Sequence, residues 1–230
     1  MEPWVVFDAD NTLWEVESLY DDARRSMTEI LAAKGIDRST SEEIQQTIDQ
    51  SLHQTMGYSA QRFPESFERT LIYFFPNASN QERNQIRAIA EQVFLRPAIV
   101  HEALHHLVTI LREGYKLGIV TAGERWVQES RLRQFVYQNQ FDVIEIVPRK
   151  DVATFVAFAA RNSIDATRSW LVGDSVRSDI IPGHAAGFNC ILLRSHNWHR
   201  VETESMVLPS GVYEISDLSE ILSIIPLRAT

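Results

Sequence analysis

The sequence predicts an α/β protein: a parallel sheet with helices on both faces, accompanied by a small all-helical domain. Three observations predict it. The chain opens on a wholly apolar run, Trp4-Val5-Val6-Phe7, which ends at two carboxylates, Asp8 and Asp10. From about Leu13 to Leu95, apolar residues recur at spacings of three and four. Beyond Pro97, short apolar runs alternate with amphipathic ones, and strand–helix alternation means a parallel sheet.

Each element follows from local chemistry. Leu19, Ala23, Met27, Ile30 and Leu31 share one helical face. Ser41-Glu42-Glu43-Ile44 is expected to open a second helix, with Ser41 as its cap and acids in its first turn. Pro64 marks the start of a third helix, closed by Pro76-Asn77. A fourth runs from about Asn80 to Leu95, and Pro97 stops it. Helices are then expected at 101–113, 124–135, 151–162 and 176–186, the first ending at Gly114 and the last at Gly187. Strands are expected at 115–120, 141–147, 169–173 and 188–193.

Composition narrows the function classes. Of 230 residues, 44% are hydrophobic and 23% charged, as in an ordinary globular protein. The net charge of −9 argues against a nucleic-acid backbone or an anionic membrane as partner. A small anionic substrate answers to the local field of a site and stays open. The single cysteine, Cys190, sits in an apolar strand, so no internal disulfide is expected. With no signal-like leader and no long apolar span, a cytoplasmic protein is expected.

Parallel sheets bind ligands beyond the carboxyl ends of their strands. That rule gathers the polar residues. Asp8 and Asp10 follow the first strand, Thr121 follows 115–120, Arg149-Lys150 follow 141–147, and Asp174 follows 169–173. Two carboxylates two residues apart repel unless a divalent cation or a division of protonation relieves them. Singly, each residue has an ordinary explanation, such as a turn, a helix cap or a solvated lysine. Jointly, acid, hydroxyl, cation and acid at one sheet edge point to chemistry.

These residues resemble the four motifs of the haloacid dehalogenase-like superfamily, whose members are mostly phosphatases. The first is Asp8-Ala9-Asp10-Asn11-Thr12-Leu13, the second Thr121, the third Lys150, and the fourth Gly173-Asp174-Ser175-Val176-Arg177-Ser178-Asp179. The resemblance implies a Rossmann-like core over 1–14 and 96–230, with a helical cap inserted over 15–95. Asn11 replaces the commoner glycine of the first motif, and asparagine tolerates the left-handed backbone region better than other side chains do.

The resemblance further implies a magnesium-dependent phosphatase acting on a small phosphorylated metabolite. Asp8 would be the nucleophile and Asp10 the general acid and base. Thr121, Ala122 and Lys150 would hold the phosphoryl group, and Trp14 would line the substrate. Asp8, Asp174 and the backbone carbonyl of Asp10 would bind Mg2+, supported from outside the ligand set by Thr12, Ser175 and Asp179. Asp10 and the acidic fourth motif argue against the dehalogenase branch. A phosphomutase, or an idle binding protein on the same scaffold, is the alternative. No nucleic-acid or membrane partner is expected, and the chain is expected to be a monomer or homodimer.

Weaker candidates complete the reading. His101 and His105 have the spacing of a helical metal pair but lack a convergent acid. Arg149 is expected to point away from the site. Trp198 and His199 are candidates for the substrate pocket. Arg24, Arg25, Arg62 and Arg69 could meet a second anionic group of the substrate, or form a solvated face.

Overall fold

The structure, a computed structural model, describes residues 2–194 and 207–227. The chain divides into two units, Met1–Glu15 with Ala98–Thr230, and Val16–Pro97.

The first unit is built on a six-stranded sheet: β1 (Trp4–Phe7), β4 (Lys116–Ala122), β5 (Val143–Val147), β6 (Trp170–Gly173), β7 (Asn189–Leu193) and β8 (Tyr213–Ile215). Their order is β5-β4-β1-β6-β7-β8 and every pairing is parallel. All carboxyl ends therefore open on one edge, with β1 flanked by β4 and β6. The run Trp4-Val5-Val6-Phe7 is buried along its whole length because the sheet is covered on both faces. Trp4 and Val6 join Phe155 and Phe158 of α7 (Val152–Arg161) in one core layer. Phe7 points the other way, its ring edge-on to Phe141 at 6.1 Å between centroids.

Three short strands were not anticipated. β2 (Trp14–Glu15) and β3 (Ile99–Val100) form an antiparallel ribbon pairing Trp14 with Val100 and Glu15 with Ile99. β8 is a three-residue edge strand, too short to announce itself by periodicity.

The remaining elements of this unit correct several expected boundaries. α5 is Leu104–Leu111, so His101 precedes the helix; its backbone N–H donates to Leu13 O at 3.2 Å. The expected metal spacing with His105 is therefore not helical. α6 spans Arg125–Gln134. Where one helix over 176–186 was expected, a π-turn at Val176–Ile180 leads into α8 (Ile181–Ala185). α9 (Ile221–Ile224) follows β8.

The second unit is all-helical: α1 (Glu17–Ala33), α2 (Arg38–Met56), α3 (Arg62–Phe74) and α4 (Asn80–Leu95). Leu19, Ala23, Met27 and Leu31 of α1 are buried, as are Ile86, Ala90 and Val93 of α4. Ser79 and Glu82 form a reciprocal capping box at the start of α4. The cap of α2 is Asp37, whose carboxylate accepts from Thr40 N at 3.1 Å, and not Ser41. Ser41 lies inside the helix, buried, its hydroxyl donating to Arg38 O. Among the described residues, no helix is long and apolar enough to cross a membrane.

Candidate active site

β1 ends at Asp8, which is 5% exposed and whose backbone N–H donates to Val172 O at 2.8 Å. That bond extends the β1–β6 ladder by one residue and aims the side chain off the carboxyl edge. The loop then turns sharply: Thr12, Leu13 and Trp14 all donate backbone N–H bonds to Ala9 O. Asn11 supplies the left-handed residue at φ 60°, the backbone region asparagine was expected to tolerate. Thr12 is fully buried, and its hydroxyl donates to Asp8 Oδ2 at 3.4 Å, a long bond.

Lys150 bridges two acids. Its Nζ lies 2.5 Å from Asp8 Oδ1 and 2.5 Å from Asp179 Oδ1. Asp179, its side chain 1% exposed, also accepts from Ser175 N at 3.1 Å. Gly173 makes room for it: a Cβ there would lie 2.5 Å from Asp179 Cγ. Ser175 caps the π-turn, its hydroxyl accepting from Ser178 N. Arg149 is exposed and pairs with Asp151 instead.

Asp8, Asp174 and Asp179 each bring a carboxylate oxygen to within 4.8 Å of the others. Three buried acids gather around an ammonium that touches two of them, Asp8 and Asp179. Burial raises the Asp8 carboxyl to about 7; Lys150 opposes the rise, and repulsion from Asp179 and Asp10 adds to it. Burial, then the nearby Asp8 and Asp179, likewise hold Asp174 well above the carboxylate range. For Lys150, burial favours the neutral amine, but Asp179 and Asp8 outweigh it and push its pKa up. The ammonium is thus secure and the site is short of positive charge. An all-oxygen donor set with surplus negative charge fits a hard divalent cation. The sequence expectation placed Asp10 among the metal ligands through its backbone carbonyl; the third carboxylate of the cluster is Asp179.

Asp10 lies apart from that cluster in its side-chain partners. Its Oδ1 accepts from Trp14 Nε1 at 2.6 Å, and its Oδ2 from Gln128 Nε2 at 2.8 Å and Arg131 Nη1 at 2.5 Å. Trp14 was expected to line the substrate. It is instead 1% exposed, packed against Phe135 at 4.9 Å, and its polar edge is spent on Asp10. Gln128 and Arg131 were missed. Their signal was a glutamine and an arginine three apart on the helix that follows Thr121, where inward positions are ordinarily apolar.

Thr121 and Ala122 are the last residues of β4, paired with Ile146 and Val147, so the strand runs two residues further than expected. The Thr121 hydroxyl is buried and has no hydrogen-bond partner among the described residues. A buried hydroxyl without a partner is costly unless a ligand supplies one. Trp198 and His199 lie outside the described residues. In the helical unit, Arg24 pairs with Glu17 and Asp21, Arg25 with Asp22, Arg62 with Asp49 and Arg69 with Glu65, so each of the four arginines is paired with a carboxylate, Asp22 being shared with Arg96 and Glu65 with Arg87.

Over 230 residues, covering 95% of this chain and 97% of the relative, the sequence is 26% identical to the pyrimidine 5'-nucleotidase YjjG of Escherichia coli. It is 23% identical to a glyceraldehyde 3-phosphate phosphatase of Methanopyrus kandleri, over 86% of each chain. The crystal structure of a haloacid dehalogenase-like family hydrolase from Xanthomonas campestris superposes with a TM-score of 0.82 at 23% identity, covering 97% of this chain and 90% of that one. The family model for haloacid dehalogenase-like hydrolases matches residues 5–193, which takes in Asp8, Thr121, Lys150 and Asp174. The chain belongs to the haloacid dehalogenase-like hydrolases.

Proposed function

We propose that the protein is a magnesium-dependent phosphatase acting on a small phosphorylated metabolite. The observation that carries this reading is that a buried Thr121 hydroxyl without a hydrogen-bond partner among the described residues and a buried Lys150 in the acidic cluster lie at the ends of neighbouring strands of one sheet edge. A hydroxyl, an ammonium and a cation-binding set of acids are what a phosphoryl group needs around its oxygens. Two relatives support the substrate class, since both are named for phosphorylated small molecules.

In this reading a carboxylate oxygen of Asp8 attacks phosphorus, forming an O–P bond as the ester P–O bond breaks. Asp10 gives its proton to the departing oxygen. Water then attacks the phosphoryl group on Asp8, Asp10 takes a proton from that water, and inorganic phosphate leaves. Thr121 donates to a phosphoryl oxygen, and Lys150 holds Asp8 and offers its charge to the same group. Asp8, Asp174 and Asp179 are the residues that would hold Mg2+, which when bound neutralises charge on Asp8 and on the phosphoryl oxygens.

Release of inorganic phosphate from 4-nitrophenyl phosphate, with and without chelator, tests the reading. Activity is expected to vanish with chelator and return with magnesium. Activity indifferent to chelator would sink it. Measuring phosphate release rather than ester loss separates a hydrolase from a phosphomutase.

A further inference from the structure

Asp10 receives three donors from two separate elements. Trp14 is in β2, and Gln128 and Arg131 are one turn apart on the same face of α6. The Arg131 side chain is 3% exposed, whereas that of Asp10 is 27% exposed. The guanidinium is therefore sunk in the protein while the carboxylate it holds stays open to approach. An ion pair whose only task was to join the β1 loop to α6 would need one contact. Here both oxygens accept, Oδ1 from Trp14 and Oδ2 from Gln128 and Arg131.

We propose that Arg131 and Gln128, with Trp14, are positioning residues that fix the orientation of the Asp10 carboxyl, and so set how efficiently it delivers a proton to the leaving oxygen. This rests on the role given to Asp10 above. The distinction between fixing and merely anchoring follows from geometry. A free carboxyl rotates about two bonds, and a proton donor displaced by a fraction of an ångström loses much of its effect. Arginine's planar fork constrains rotation, and a lysine at the same place would supply charge without that constraint. Trp14 constrains the opposite oxygen, so rotation of the carboxyl would break a bond at each end.

Leaving-group dependence reads this role directly. A nitrophenolate leaves without help, whereas a more basic phenolate needs the proton. The test compares kcat/KM for 4-nitrophenyl, phenyl and 4-methoxyphenyl phosphate in the full chain with magnesium. Arg131→Met is expected to lower turnover of phenyl and 4-methoxyphenyl phosphate about 10- to 100-fold, and of 4-nitrophenyl phosphate no more than about threefold. Arg131→Lys should fall between Arg131→Met and wild type. In an Asp10→Asn background, Arg131→Met should add no further selective loss.

An equal loss on all three esters, or full additivity with Asp10→Asn, would overturn the proposal and leave Arg131 a structural residue. Should Arg131→Met fail to fold by circular dichroism, Gln128→Ala decides, with a selective loss of about three- to tenfold expected and an unselective one contrary. Failure of the underlying reading looks different: Asp10→Asn itself would then show no selectivity among the esters.

Discussion

Asp8 and Asp10 are two residues apart in sequence and live in opposite electrostatic worlds. Around Asp8, three carboxylates cluster and the Lys150 ammonium bridges two of them, Asp8 and Asp179. Around Asp10, three donors converge on one carboxylate. The first region carries more carboxylates than ammonium groups among the described residues. The second has its donors already in place. Identical side chains separated by one alanine are thus given different surroundings by what the neighbouring strands and helices bring to them, and it is on that difference that the proposed division of labour rests.

Substitutions should separate the two regions. Asp8→Asn removes the oxygen proposed to attack phosphorus and is expected to reduce phosphatase turnover by more than about a thousandfold, measured as phosphate release. Lys150→Met is next. It strips the ammonium that pairs with Asp8 and Asp179 from the acidic cluster, so activity should fall about a hundredfold or more. Stability should fall by about 3–5 kcal/mol in metal-free denaturant titrations, because the acids are left uncompensated. Magnesium should restore much of that stability, since it supplies charge to the same carboxylates.

Smaller effects sharpen the contrast. Magnesium at about a hundred times its dissociation constant should stabilise the wild type by about 2.7 kcal/mol, seen as a rise in Tm of several degrees. Asp174→Asn should shrink that rise, and Arg131→Met should leave it intact. A rise equally reduced by both would mean that the two regions are one. The pH dependence carries the same message. Asp8 and Asp174 hold protons more tightly folded than unfolded, so the folded state binds the more protons between about pH 4 and pH 7. Metal-free stability should therefore fall as pH rises through that window, and magnesium should flatten the fall. Stability that rose with pH there would contradict the geometry of the cluster.

How much of this could be read from the sequence differs between the regions in the same way. Asp8, Thr121, Lys150 and Asp174 sit at strand ends, and the parallel sheet puts strand ends together, so a one-dimensional pattern carries them. Gln128 and Arg131 lie on a helix, where polar residues one turn apart are everywhere and their facing direction depends on packing. Trp14 was legible as a neighbour of the motif but not as a donor. Its burial follows from the β2–β3 ribbon, whose strands of two residues leave no periodic trace. Ser41 misled for a related reason: acids in the turn after it imitate a helix start, while the true cap, Asp37, lies one turn earlier. The π-turn after Asp174 was hidden because its residues have helical composition, and only the demand to place Asp179 over Gly173 reveals it.

The same ribbon has an architectural consequence. Because Trp14 lies opposite Val100 and Glu15 opposite Ile99, the chain leaves the sheet unit and re-enters it at a single point. A segment that departs and returns through adjacent residues is topologically a long hairpin loop, and the entropy of closing such a loop grows only slowly with its length. The 82 residues from Val16 to Pro97 (97 − 16 + 1) therefore form a cassette inserted in the chain between two paired strands. Such a cassette can be lengthened or exchanged over evolutionary time without re-threading the strands that carry Asp8, Thr121, Lys150 and Asp174.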